Sequence, residues 1–94
     1  MNKPYYWKVA IPRQEHRLYS HSDLHLGTIR VAERCPGNYW TMHYGNYAPS
    51  GVFRGEAIAD MEMHGWRNAR KYLMKNEFIK LLLDECVRQG AYHG

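Results

Sequence analysis

Apolar and polar residues alternate near the start of the chain: Tyr5, Trp7, Val9 and Ile11 are interleaved with Tyr6, Lys8 and Ala10. A period of two puts each set on its own side of an extended backbone and predicts a strand. Pro12 ends it, having no N–H to give to a ladder. Residues 13 to 22 are mostly polar and read as a loop. Strand character returns over Leu24 to Ala32, with a change of parity inside it. Leu24 and Leu26 are even-numbered whereas Ile29 and Val31 are odd, so a straight strand would aim them at opposite faces. A bulge or turn at Gly27 resolves the conflict.

Cys35-Pro36-Gly37-Asn38 is turn chemistry, because proline presets φ and glycine or asparagine accepts positive φ. It predicts a hairpin into a strand over Tyr39 to Tyr44, with Trp40, Met42 and Tyr44 on one face and Tyr39, Thr41 and His43 on the other. A loop over residues 45 to 51 leads to a short strand at Val52 and Phe53. No proline follows Pro49, and Ala57, Ile58, Ala59, Met61 and Met63 suit a helix from Glu56 onward, with Gly65 an interruption. Trp66, Ala69 and Leu73 form one helical stripe; Phe78, Ile79, Leu82, Leu83 and Cys86 form a second of different phase. Asn76 is placed to cap between them and Gly90 to end the second, leaving residues 91 to 94 as a tail.

Strands first and helices last make an α+β fold: a three- to four-stranded antiparallel sheet followed by C-terminal helices packed on one face. A length of 94 residues allows one core, so residues 1–94 read as a single domain. The expected core is Trp7, Val9, Ile29, Val31, Trp40, Met42, Phe53, Ile58, Leu73, Ile79, Leu82 and Leu83. A composition 45% hydrophobic and 14% aromatic lies far from the disordered regime, so the chain is expected to fold alone. No run approaches the roughly 20 apolar residues of a membrane span, and the N-terminus shows no apolar signal region. Cys35 and Cys86 lack a C-x-x-C spacing and read as free thiols, in keeping with a cytoplasmic location.

The net charge of +4 favours an acidic partner. The surplus is concentrated in the sheet half, where Lys3, Lys8, Arg13, Arg17, Arg30 and Arg34 face only Glu15, Asp23 and Glu33. In the helical half Arg67, Lys71 and Lys75 recur every four residues, with Arg70 adjacent. Like charges at that spacing destabilise an isolated helix by about 0.2–0.5 kcal/mol per pair, which a binding role would rationalise. Tyr5, Tyr6, Trp7, Tyr39, Trp40 and Tyr44 are more aromatic surface than one helical layer can cover. Some of it is expected to face outward, where tyrosine, tryptophan and arginine favour protein interfaces and can stack on bases.

Catalytic signals are fragmentary. No Gly-x-Ser-x-Gly elbow or glycine-rich phosphate loop occurs, and no base can be placed beside Cys35. Ser22-Asp23-Leu24-His25 resembles the first motif of calcineurin-like metallophosphoesterases, which implies that Asp23 and His25 bind metal. That family's Gly-Asp-x-x-Asp and Asn-His motifs have no counterpart, since Gly45-Asn46 is followed by Tyr47. His21, Asp23 and His25 would share a face if extended, a pattern equally suited to ligands and to a polar surface. No metal, cofactor or catalytic residue is assigned on this reading.

Gly27-x-Ile29-Arg30, a turn, Tyr39-Trp40-Thr41, a loop, Gly51-x-Phe53 and an alanine-bearing helix resemble AP2-type DNA-binding domains over about a third of the chain. The resemblance implies a sheet that reads the DNA major groove through Arg30, Arg34, Thr41 and His43. In size, aromatic richness and mild basicity the chain also resembles small bacteriophage accessory proteins. That likeness implies a non-enzymatic inhibitor or modulator of a host protein complex, active in the host cytoplasm. Its expected contacts are Arg67, Arg70, Lys71 and Lys75, with Arg30, Arg34, Tyr39 and His43 on the sheet. A host protein complex is the first partner expected and nucleic acid the second, with no membrane role.

Overall fold

The computed structural model describes residues 3–32, 38–45, 57–58 and 62–89. Among these the chain forms five strands and two helices: β1 (Tyr5–Ile11), β2 (Glu15–Ser20), β3 (His25–Val31), β4 (Tyr39–Tyr44), β5 (Met63–His64), α1 (Trp66–Lys75) and α2 (Glu77–Gln89). The strands pair antiparallel in sequence order, an up-and-down meander with both helices against one face. The fold is α+β, with a sheet larger than the sequence suggests.

Two strands, β2 and β5, are not expected from the sequence, and β2 corrects the loop expected at residues 13 to 22. Its alternation is real but is written in polar letters. His16, Leu18 and Ser20 are buried on the helix side, whereas Glu15, Arg17 and Tyr19 lie on the other. His16 substitutes for an apolar residue, with its ring 4.9 Å from Trp40 and 5.3 Å from Trp66. Ser20 Oγ accepts from the amides of Ser22 and Leu24, which ties the β2–β3 turn.

The parity conflict in β3 is resolved by a bulge. Leu18 pairs with Gly27 but Tyr19 pairs with His25, so Leu26 is the additional residue and even-numbered Leu26 reaches the core beside odd-numbered Ile29, while Leu24 stays exposed. Gly27 lies beneath α1: a Cβ there would stand 2.8 Å from Leu73 Cδ2 and 3.3 Å from the His43 carbonyl. Glycine therefore sets how closely α1 approaches the sheet.

Among the described residues the helix expected from Glu56 begins at Trp66. Ala57 instead forms a bridge with His43, the Ile58 amide donates to the Met42 carbonyl at 3.0 Å, and Met63–His64 pair with β4. Pairing along the β4 edge overrides the helix propensity of alanine and methionine. Gly65, at φ 83, starts α1 rather than interrupting it. Asn76 ends α1 and caps α2, its Oδ1 accepting from the Ile79 amide at 3.0 Å. Ala69 and Leu73 of α1, with Ile79 and Leu83 of α2, close the core over Leu18, Leu26, Ile29, Trp40 and Met42.

Trp7, Val31, Ile58 and Leu82 are only partly buried, and Val9 is 50% exposed because the helices do not reach that corner of the sheet. Phe53, the Val52–Phe53 strand, the β3–β4 turn residues 33–37 and the tail lie outside the described residues.

Candidate functional site

The sheet face away from the helices is organised in cross-strand rows. Ile11, Glu15, Arg30 and Thr41 make one, Lys8, Arg17, Thr28 and His43 the next, and Tyr6, Tyr19 and His25 a third. Each row uses alternate residues of strands whose other parity packs on the helices, so one alternation fixes core and surface together.

Glu15 is the anchor of this face. It is 3% exposed, and its two carboxylate oxygens receive Arg17 Nε at 2.6 Å and Arg30 Nε at 3.2 Å. The buried charge is thus paired twice, and both guanidinium groups are held in position at the surface. Lys8 stands directly opposite Arg17, a like-charge juxtaposition that weakens a sheet unless something offsets it. Tyr6 stacks on Tyr19 with ring centroids 5.4 Å apart and donates its hydroxyl to Asp23 at 2.6 Å. Hydrogen bonding to that carboxylate, aided by burial and by its charge, raises the Tyr6 hydroxyl to about 12.

The histidines of this face are tied to threonines. His25 Nε2 lies 2.7 Å from Thr28 Oγ1 and 3.1 Å from the Gly27 carbonyl; His43 Nε2 lies 2.8 Å from Thr41 Oγ1, whose hydroxyl donates to the Arg30 carbonyl. Burial holds His25 below the usual imidazole range, partly offset by the Gly27 carbonyl. A cavity of about 560 Å³ opens over Glu15, Arg30, Thr41 and His43, walled by Ile11, Gln14, Val31, Ala32 and Glu62.

Arg30, Tyr39 and His43 accordingly share one face, with Tyr39 exposed and its ring edge-on to His64. Arg34 lies outside the described residues. No known protein family, curated protein or solved structure matches the chain.

The helical cation group divides. Arg67, Lys71 and Lys75 are exposed, with Arg67 over the Trp66 ring at 5.1 Å. Arg70 is turned inward and leaves the expected patch. Its guanidinium lies 4.7 Å from the ring centroids of both Trp7 and Trp66, and Nε and Nη2 donate to His16 Nδ1 at 3.2 and 2.9 Å. Residue 70 falls on the buried side of a helix whose 66, 69 and 73 positions face the sheet, so the stripe itself contained the correction. Burial lowers Arg70 from its usual value, and burial with the neighbouring guanidinium lowers His16. His16 is thus a neutral acceptor that joins α1 to β2.

Asp23 and His25, suggested by the phosphoesterase resemblance, and His21, suggested by a shared strand face, turn to separate partners. His21 Nε2 lies 3.3 Å from the Cys86 carbonyl, Asp23 accepts from Tyr6, and His25 contacts Thr28. Among the described residues no three His, Cys, Asp or Glu gather as a metal site. Cys86 is a free thiol, Cys35 lies outside the described residues, and no described helix is long and apolar enough to cross a membrane. Sequence reasoning missed Glu15 and Arg17, because the strand that carries them read as a loop.

Proposed function

We propose that this chain acts by binding: a small accessory protein of the kind bacteriophages encode, which inhibits or modulates a host protein complex by covering an acidic surface with its open sheet face. The observation that carries the reading is the double clamp of Glu15 on Arg17 and Arg30, beside Lys8 and among Tyr6, Tyr19 and Tyr39. Arginine and tyrosine dominate binding energy at interfaces, and side chains already fixed lose less entropy on association. Like charges held opposite each other gain when an anionic partner arrives. The bacteriophage attribution rests on the likeness in size and composition.

A second reading is a sheet-based DNA-binding regulator of AP2-like type. It is favoured by the common direction of Arg30, Thr41 and His43, which occupy neighbouring strands on one face. The two part on salt and nuclease. Capture from a bacterial lysate with the tagged chain is expected to retain one stoichiometric complex through nuclease and moderate salt, and to lose it with Arg30→Ala plus Tyr39→Ala. Retention that vanishes with nuclease, or falls steeply with salt as phosphate contacts do, would replace the protein reading by the DNA reading. Loss on Lys71→Ala and Lys75→Ala alone would move the interface to α1.

A further inference from the structure

The outer edge of β1 is the longest stretch of strand without a neighbour on one side among the described residues. Its hydrogen-bonding phase follows from two contacts. The His21 amide donates to the Pro4 carbonyl, and the Ser20 amide donates to the Leu24 carbonyl on the far side of β2. With the register Tyr5–Ser20, Tyr6–Tyr19 and so on, Pro4, Tyr6 and Lys8 direct their backbone groups to β2. The N–H and C=O of Tyr5, Trp7 and Val9 therefore point outward, a regular row ending where β1 bulges between Val9 and Ile11.

We infer that this edge pairs with the same edge of a second copy, antiparallel about a two-fold axis at Trp7, joining two sheets into one. The sequence is self-complementary in that register. Trp7 faces Trp7, Tyr5 faces Val9 and Tyr6 faces Lys8, so all three outward residues of each copy find partners. Lys8 of the second copy comes over the Tyr6 side, where the ring and the Asp23 carboxylate bound to its hydroxyl suit a cation. An axis one residue later, at Lys8, would put lysine against lysine and run into the bulge. Pairing at Trp7 also covers Val9, which the helices leave exposed.

Features that ordinarily protect an edge do not oppose this register. Pro4 belongs to the inward set, Pro12 lies beyond the strand, and Lys8 meets tyrosine rather than itself. Five residues a side make a modest interface, so the dimer is weak and depends on concentration. It doubles the open face and presents two copies of the Arg17–Arg30 cluster on one continuous surface, whatever that face binds.

Sedimentation of the full chain across a dilution series, with amide hydrogen exchange at both ends, tests the inference. The expected result is a mass rising toward two chains, with the Tyr5, Trp7 and Val9 amides protected only at high concentration and those of Tyr6 and Lys8 protected throughout. Val9→Pro removes an outward N–H and no bond to β2, and is expected to weaken the dimer about tenfold or more. A single-chain mass at every concentration overturns the inference. So does a dimer in which those three amides exchange freely, or one retained by folded Val9→Pro. Should Val9→Pro fail to fold, the exchange pattern of the unaltered chain decides.

Discussion

The two faces of the sheet are built from the same strands and do opposite work. On the helix side, Leu18, Ile29, Met42 and Leu73 exclude water, and the polar groups admitted, His16 and Ser20, are tied down by hydrogen bonds. On the open side, charge and aromatic rings are held in place but remain at the surface, with the Arg17 and Arg30 side chains 26% and 49% exposed. Stability is concentrated on the first face, and the second is the one to which the proposed function assigns recognition. Glu15 belongs to both descriptions, being as buried as a core residue while its partners face solvent.

That division is broken most severely at Leu73, the α1 residue over Gly27. Leu73→Ala is expected to cost about 2–5 kcal/mol in urea denaturation, the range for a fully buried leucine. Gly27→Ala is expected to cost about 1–3 kcal/mol, since its methyl must displace Leu73. The two should be coupled: in a Leu73→Ala background the glycine substitution is expected to cost less, because the obstructing side chain is gone. Additive costs would show that the approach of α1 is limited elsewhere, for example at the His43 carbonyl.

The helix-side face was legible in the sequence wherever burial was written in apolar letters. Ile29, Trp40, Met42, Leu73 and Ile79 follow from period alone, and the parity change at Gly27 called for a bulge or a turn, which the pairing resolves as a bulge at Leu26. Legibility failed at β2, where a histidine and a serine occupy core positions. It failed again at Ala57 and at Met63–His64, where the composition suits a helix but edge pairing decides. On the open face Arg30, Tyr39 and His43 could be grouped from alternation. Glu15 and Arg17 required β2, and the inward turn of Arg70 required setting the charge pattern against the apolar stripe of the same helix.

Glu15→Gln takes the charge from the clamp without removing its shape. The cost expected is roughly 1–3 kcal/mol, short of a fully buried ion pair because both arginines can turn to water. Partner affinity should fall further than stability does, since Arg17 and Arg30 lose their fixed positions. Equal losses in the two would place Glu15 with the core rather than with recognition.

Acid should act on both faces, through His16 beneath α1 and His25 on the open side. Both are held below the ordinary value of 6.5 in the folded chain, chiefly by burial. As pH falls through 6.5 the unfolded chain takes up protons that the folded chain refuses, so stability declines with acid and levels off once the lowered values are passed. Urea titrations from pH 8 to 5 would trace this. His16→Gln is expected to remove the share of the slope carried by the helix side, and His25→Gln the share carried by the open side. A slope unchanged by either would assign the acid response to other groups.

The smallest effect on stability is the most informative about function. Arg30→Ala and Tyr39→Ala remove exposed side chains and should each change unfolding free energy by under about 0.5 kcal/mol, as surface substitutions usually do. Glu15 keeps Arg17 in the first variant, and Tyr39 lies at the margin of the sheet in the second. If the open face is the recognition surface, partner affinity should nevertheless fall by tenfold or more, about 1.4 kcal/mol, in each. Affinity preserved in both, with stability also preserved, would leave the ordered charges of this face without a binding role and transfer the search to the exposed Arg67, Lys71 and Lys75 of α1.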